Sequence, residues 1–115
     1  MNMKYTGAIV EESLVDARVL NEFELIKFKI TKEENPADRW HIYTVAATQP
    51  QLDMLSKLIK PKWYAHFWNE KRDVVALFQN KMFEFNYDDK KSWEPAIMHG
   101  LSIGIPKEQL DFPIS

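Results

Sequence analysis

The side chains best suited to chemistry are concentrated in one short segment, KWYAHFWNE, which spans residues 62–70. We predict a strand here, and in a strand alternate side chains point to opposite faces. One face then carries Trp63, Ala65 and Phe67, which we predict to be core. The other face carries a phenol, an imidazole and an indole, contributed by Tyr64, His66 and Trp68. Because these rings hydrogen-bond and stack, this face suits either a protein contact surface or the floor of a ligand pocket.

Two neighbouring acids and a second imidazole complete the candidate site residues. Glu11 and Glu12 follow the first predicted strand, and paired carboxylates can act as acid and base when their environments differ. The same pair also fits an ordinary helix cap or solvated turn. His41, His66 and His99 lie on three separate predicted elements, without the close spacing of a local metal motif. We therefore predict no metal and no cofactor, and the sequence leaves open whether the protein is an enzyme.

Composition and charge narrow the class of protein. The chain has 115 residues, 45% of them hydrophobic and 28% charged, which predicts one soluble globular domain over residues 1–115. Its net charge of -2 disfavours nucleic acid as a partner. The absence of cysteine fits a reducing compartment, and no apolar run is long enough for a membrane span or a signal peptide. We predict a cytoplasmic protein with no membrane association.

Hydrophobic periodicity predicts an α+β fold with a mainly antiparallel sheet of about five to six strands and helices on one face. In the strand over 22–30, alternation predicts Ile26, Phe28 and Ile30 on one side and Leu25, Lys27 and Lys29 on the other. The strand over 40–47 is apolar on both sides and is predicted to be central. The six predicted strands cover residues 3–10, 22–30, 40–47, 63–69, 73–79 and 81–87.

One principal amphipathic helix is predicted over residues 48–60, packed on one face of the sheet. Thr48 is placed to cap it, Pro50 suits its first turn, and leucines form a single apolar stripe. Shorter helices are predicted near 14–21, after Ser13, and near 89–99. The glycine-containing tail is predicted to be an ordered loop that ends in an apolar anchor, Leu110 and Phe112.

Four stretches together resemble a family of small uncharacterised prokaryotic proteins of about this length. They are YTGAIVEESLVDARVL, KWYAHFWN, FQNKMFEFN and GLSIGIPKEQLDF, and they cover most of the chain. The resemblance implies a complete single-domain protein but no reaction, cofactor or site residue. It also implies an acid at the position of His66, so the histidine departs from the expected pattern.

These features favour an interaction module that binds itself, as a homodimer or larger homo-oligomer, or another protein. The contact surface would be the aromatic sheet face of Tyr64, His66 and Trp68, since 13% of the residues are aromatic and no catalytic motif is present. The alternative is a small-molecule-binding protein or enzyme. Its pocket would be lined by the same three rings, with an acid from Glu11 or Glu12.

Overall fold

One antiparallel sheet of six strands organises the protein in a computed structural model that describes residues 4–114. Along the sheet the strands lie in the order β2-β3-β1-β4-β5-β6, and every neighbouring pair is antiparallel. The predicted α+β class is confirmed. Each predicted strand is present: β1 is Lys4–Val10, β2 Glu24–Ile30, β3 His41–Thr48, β4 Ala65–Trp68, β5 Asp73–Phe78 and β6 Lys81–Asn86. The ends of β2 to β6 differ from the prediction by a few residues, and the predicted first residue of β1, Met3, lies outside the described residues.

The strand β1 joins the two halves of the sheet, because it pairs with β3 on one side and with β4 on the other. A Cβ atom built on Gly7 would come within 2.5 Å of both the His66 carbonyl oxygen and the Phe67 ring. Only glycine allows this close approach. The hairpin between β5 and β6 turns at Asn80, whose positive φ of 57° is a conformation that asparagine tolerates in tight turns.

The helix α1, Gln49–Ser56, covers one face of the sheet, which we call the α1 face. Thr48 and Gln51 form a reciprocal capping box and Pro50 lies in the first turn, as predicted. Leu52 and Leu55 are fully buried against Ile9, Val45 and Phe67, among others. The helix ends four residues before the predicted position 60, since Ile59 leaves it to form an isolated bridge with Leu14.

The opposite face is covered only over β4, β5 and β6, by the helix α2, Glu94–Ser102, and by the C-terminal tail, residues 103–114. Val74, Ala76 and Phe78 of β5 pack there with Trp93, Leu110 and Phe112. The tail anchor is thus confirmed. The prediction that all helices share one face is wrong, because β5 is apolar on both sides and needs a covering layer on each.

The short helix predicted near 14–21 is present only in its second part and as a 3₁₀ helix, Ala17–Glu22, with a separate 3₁₀ turn, Glu11–Ser13, before it. Ser13 does not cap a helix; its hydroxyl donates to the Val10 carbonyl oxygen instead. Between these two segments, the Val15 amide donates to the Leu58 carbonyl oxygen, and the neighbouring residues Leu14 and Asp16 are extended. This contact with a distant segment competes with helix formation.

The predicted alternation of β2 is also wrong, because a β-bulge lies between Leu25 and Lys27. Leu25 pairs with Val45 and Phe28 with Tyr43, which places both on the α1 face. The extra residue of a bulge exchanges the two faces of the strand beyond it. Among residues 4–114, no helix is long and apolar enough to cross a membrane.

Candidate functional site

The edge strand β2 is the least covered element of the sheet. It pairs only with β3, and all seven of its residues are exposed. Four of them are large and apolar, with exposed fractions of 56% for Leu25, 53% for Ile26, 42% for Phe28 and 47% for Ile30. An edge strand also presents unpaired amide and carbonyl groups along its outer side. This strand therefore combines free hydrogen-bonding groups with apolar side chains.

The other edge of the sheet, β6, differs in this respect. Its Phe85 is buried, and its Met82 and Phe83 are half-buried against the two cores. The indole Nε1 of Trp93 donates to the Asn86 carbonyl oxygen at the end of this strand. The two edges are thus not equivalent, and of these two strands only β2 has several large apolar side chains that are exposed.

A groove of about 610 Å³ lies beside β2, on the face that α2 leaves uncovered. Its floor consists of side chains from β1 and β3, and its walls are β2 on one side and β4 with the tail on the other. We call it the open groove, and its lining residues are Thr6, Ala8, Ile26, Lys27, Lys29, Ile42, Thr44, His66, Trp68 and Pro113. The strand β3 is therefore not covered on both faces, contrary to the prediction, since Ile42 and Thr44 lie on this floor.

The aromatic face of β4 is present as predicted, but the C-terminal tail covers much of it. The rings of Tyr64 and His66 lie 6.2 Å apart, and those of His66 and Trp68 lie 5.6 Å apart. The Tyr64 hydroxyl donates to the Gln109 carbonyl oxygen, and His66 Nε2 lies 2.6 Å from the Pro113 carbonyl oxygen. Consequently, His66 and Trp68 reach the open groove only along its wall, and Tyr64 is not among the lining residues.

The tail also changes the protonation chemistry of this face. Burial lowers the pKa of His66, partly opposed by its hydrogen bond to the Pro113 carbonyl oxygen and by the negative charge of Asp111. Burial, together with Asp111, raises the pKa of Tyr64 to about 12. Both side chains are therefore neutral near pH 7, and His66 donates its Nε2 proton to the tail.

The acids Glu11 and Glu12 meet His41 and Tyr43 at the end of β1, where they form a group that we call the acid–histidine cluster. Glu12 accepts hydrogen bonds from the backbone amide of His41 at 2.8 Å and from its ring Nδ1 at 2.7 Å. Glu11 accepts one from the Tyr43 hydroxyl at 2.8 Å. Sequence reasoning named three of these residues but missed Tyr43, although alternation along β3 places it on the same face as His41.

Electrostatics in the acid–histidine cluster follow from these bonds. Burial raises the pKa of Glu12, but the hydrogen bonds from the side chain and backbone of His41 outweigh it, and the net pKa is lowered. The bond to Glu11, followed by burial, raises the pKa of Tyr43. Three possible ligand atoms, one each from Glu11, Glu12 and His41, lie within 4.8 Å of one another. These three residues could therefore hold a divalent cation. Their existing bonds already satisfy the Glu12 carboxylate.

The structure does not bring all the predicted site residues together. The acid–histidine cluster faces a separate hollow of about 390 Å³, lined in part by Glu11 and Tyr43, on the α1 face. Tyr64, His66 and Trp68 point to the opposite face. The third histidine, His99, lies on α2 and packs against the rings of Phe78 on β5 and Phe83 on β6. The predicted combination of the β4 rings with Glu11 or Glu12 in one pocket is therefore not formed.

Two lysines of the open groove, Lys27 and Lys29, were not predicted as site residues. The bulge places both on the groove wall with Ile26. The sequence does show two lysines at alternate positions of one strand, and this pattern is the only local indication that both line the same face. That signal alone is ambiguous, because lysines on an edge strand also protect it from unwanted pairing.

These observations define a small α+β domain with an uncovered sheet edge at β2 and the open groove beside it. Comparison of the chain with family models, with curated proteins and with solved structures gave no match. The resemblance to a family of small prokaryotic proteins therefore remains a prediction.

Proposed function

We propose that this protein is a cytoplasmic self-association module that forms a homodimer through its edge strand β2. The observation that carries the proposal is the exposure of Leu25, Ile26, Phe28 and Ile30 on a strand with an unpaired outer edge. Pairing this strand with another would bury apolar area and satisfy its free amide and carbonyl groups at once. The predicted self-association is kept, but its surface moves from the aromatic face of β4 to β2.

A second copy fits this edge in an antiparallel arrangement about a two-fold axis. Opposite residues in such a pair must point to the same side of the sheet. Placing Leu25 opposite the partner's Phe28 meets this condition, because both residues lie on the α1 face. The same register places Glu24 opposite the partner's Lys29, since both point to the other face. Apolar contact and charge complementarity therefore coincide in one register.

Alternative registers are less favourable. In the register that places Phe28 opposite the partner's Phe28, Lys27 lies opposite the partner's Lys29. A further shift places Lys29 opposite the partner's Lys29. Like charges directly opposite each other destabilise a strand pair. The lysines that guard the edge against indiscriminate pairing thus select one self-complementary register.

The test is the mass of the protein in solution, measured by sedimentation across a wide range of concentrations. We expect a concentration-dependent dimer for the natural sequence. Lys29→Glu changes two symmetry-related pairs by about 1 kcal/mol each, so the dimer should weaken by about thirtyfold. The double variant Glu24→Lys/Lys29→Glu should restore most of the affinity, since it re-creates the opposite charges in reverse order.

Lys32→Glu is the matched control, because Lys32 is exposed just beyond β2 and carries the same charge change. It should leave the dimer unchanged. Glu24 also forms a 3.0 Å ion pair with Lys4, but both side chains are largely exposed, so the double variant should lose little there. A single-chain mass at every concentration would refute the proposal, and failure of the double variant to recover would refute the register.

A further inference from the structure

We infer that the open groove binds a small organic anion with an apolar body, of the chemical class of a medium-chain carboxylate. The inference goes beyond self-association, because every lining residue comes from a single copy of the chain. It rests on the shape of the groove, on the chemistry of its floor and walls, and on the distribution of charge around it.

The groove is a trough built by differences in side-chain length. Its floor strands, β1 and β3, contribute the short side chains Thr6, Ala8 and Thr44, whereas β4 contributes the larger ring of Trp68. The tail raises this second wall, since the Pro113 carbonyl oxygen is held by His66. A volume of about 610 Å³ is in the range of small-molecule sites.

The apolar part of the lining suits a hydrocarbon or ring. Ile26 and Ile42 line the β2 side, and Ala8, Trp68 and Pro113 continue the apolar surface towards the tail. The hydroxyl groups of Thr6 and Thr44 lie between them and can donate hydrogen bonds to an oxygen of the ligand. Such a lining, mostly apolar with a few polar groups, is typical of small-molecule sites.

The charged part of the lining determines the sign of the ligand. Lys27 and Lys29 both line the groove, and no acidic residue does so. Among residues 4–114, neither lysine forms an ion pair, whereas Lys4, Arg18 and Arg72 each pair with an acid. In the proposed dimer Lys29 faces the partner's Glu24, so Lys27 is the cation that stays unpaired beside the apolar trough. An anionic group at the β2 wall with an apolar body over the floor matches both features.

Edge protection alone does not account for this arrangement. A lysine that guards an edge serves equally well on either face of the strand. Here the bulge directs both lysines to the uncovered face, and Leu25, Phe28 and Ile30 to the other. The positive charge is thereby placed over the groove and not over the α1 face.

The experiment is a titration of the isotope-labelled full chain with decanoate, followed by amide chemical shifts. Decylammonium serves as the probe of opposite charge and equal chain length. Decanoate should shift the amides of Thr6, Ala8, Lys27 and Thr44 and the indole of Trp68 in a saturable way, and decylammonium should not. The variant Ala8→Leu fills the floor and should abolish the decanoate shifts.

Lys27→Gln is the charge test, with Lys91→Gln as the matched control because Lys91 is exposed in the 3₁₀ turn after β6 and does not line the groove. Lys27→Gln should weaken decanoate binding by about fivefold, which corresponds to a partly exposed ion pair of about 1 kcal/mol. Equal binding of both probes, shifts away from the groove, or equal effects of the two lysine variants would each overturn the inference. Sedimentation of the same samples distinguishes failure of ligand binding from failure of dimerisation. Lys27 has no charged partner in the proposed register, so Lys27→Gln should leave the dimer unchanged.

Discussion

Replacing Phe112 with alanine should destabilise the protein by about 3–4 kcal/mol, because this residue anchors the tail over the aromatic face of β4. Phe112 is fully buried. Its ring centroid lies 5.5 Å from that of Tyr64, 5.8 Å from His66, 5.0 Å from Phe85 and 5.5 Å from Trp93. Removing the ring leaves a cavity bordered by four other rings, and these cannot collapse into it without breaking their own contacts.

The magnitude follows from burial and from the backbone. Truncation of a buried phenylalanine to alanine usually costs about 3–5 kcal/mol. Phe112 also has a positive φ of 41°, a conformation that costs a non-glycine residue about 1 kcal/mol and that packing must offset. Alanine keeps this backbone cost while losing the packing. We take the lower part of the range, because the tail is terminal and can detach without unfolding the sheet.

The assay is urea unfolding combined with hydrogen exchange of the tail amides. Phe112→Leu is the conservative comparison and should cost about 1.5 kcal/mol or less, because it retains most of the apolar volume. Pro113→Ala, at the exposed neighbouring position, should cost little. A loss below about 1 kcal/mol for Phe112→Ala, with unchanged exchange in the tail, would refute the conclusion that the tail is seated on β4.

Three further predictions concern other contacts. Gly7→Ala should destabilise the protein by about 1–3 kcal/mol in thermal or urea unfolding, because its Cβ would overlap the carbonyl oxygen of His66 and the ring of Phe67. Because the pKa of His66 is lower in the folded than in the unfolded chain, the unfolded chain takes up a proton at higher pH, and the free energy of unfolding should fall as the pH drops through about 6.5. His66→Gln should remove that part of the pH dependence. Glu12→Gln should cost about 0.5–1.5 kcal/mol at pH 7 by weakening both bonds from His41, and this difference from the natural sequence should shrink in acid, where the carboxylate is protonated.

Much of the fold was predictable because local patterns determine it. The alternation in β4, the capping residues of α1 and the turn at Asn80 all depend on residues close together in the chain. Period-two patterns and turn residues identified all six strands, with ends shifted by a few residues. The buried anchors of the tail were also predictable, since two large apolar residues near a terminus need a covering.

The remaining features depend on contacts between distant residues. The Val15 amide donates to the Leu58 carbonyl oxygen, and no local pattern indicates that bond. The bonds from His41 to Glu12 and from Tyr43 to Glu11 join residues about thirty positions apart in sequence. Their pairing follows from the register of β1 and β3 and is invisible before that register is known. The sequence therefore yielded three of the four residues of the cluster, without Tyr43 and without their geometry.

The edge strand β2 connects the architecture with the proposed function. Each of the other strands places at least one large side chain in a core, whereas β2 places none in either core. A strand that only ended the sheet would need polar residues on both faces, since apolar exposure there favours aggregation. The four exposed apolar residues of β2 therefore add nothing to the interior of one chain. Contact with a further strand accounts for them, and the flanking Glu24 and Lys29 supply the charges that would make a second copy of this chain the preferred partner.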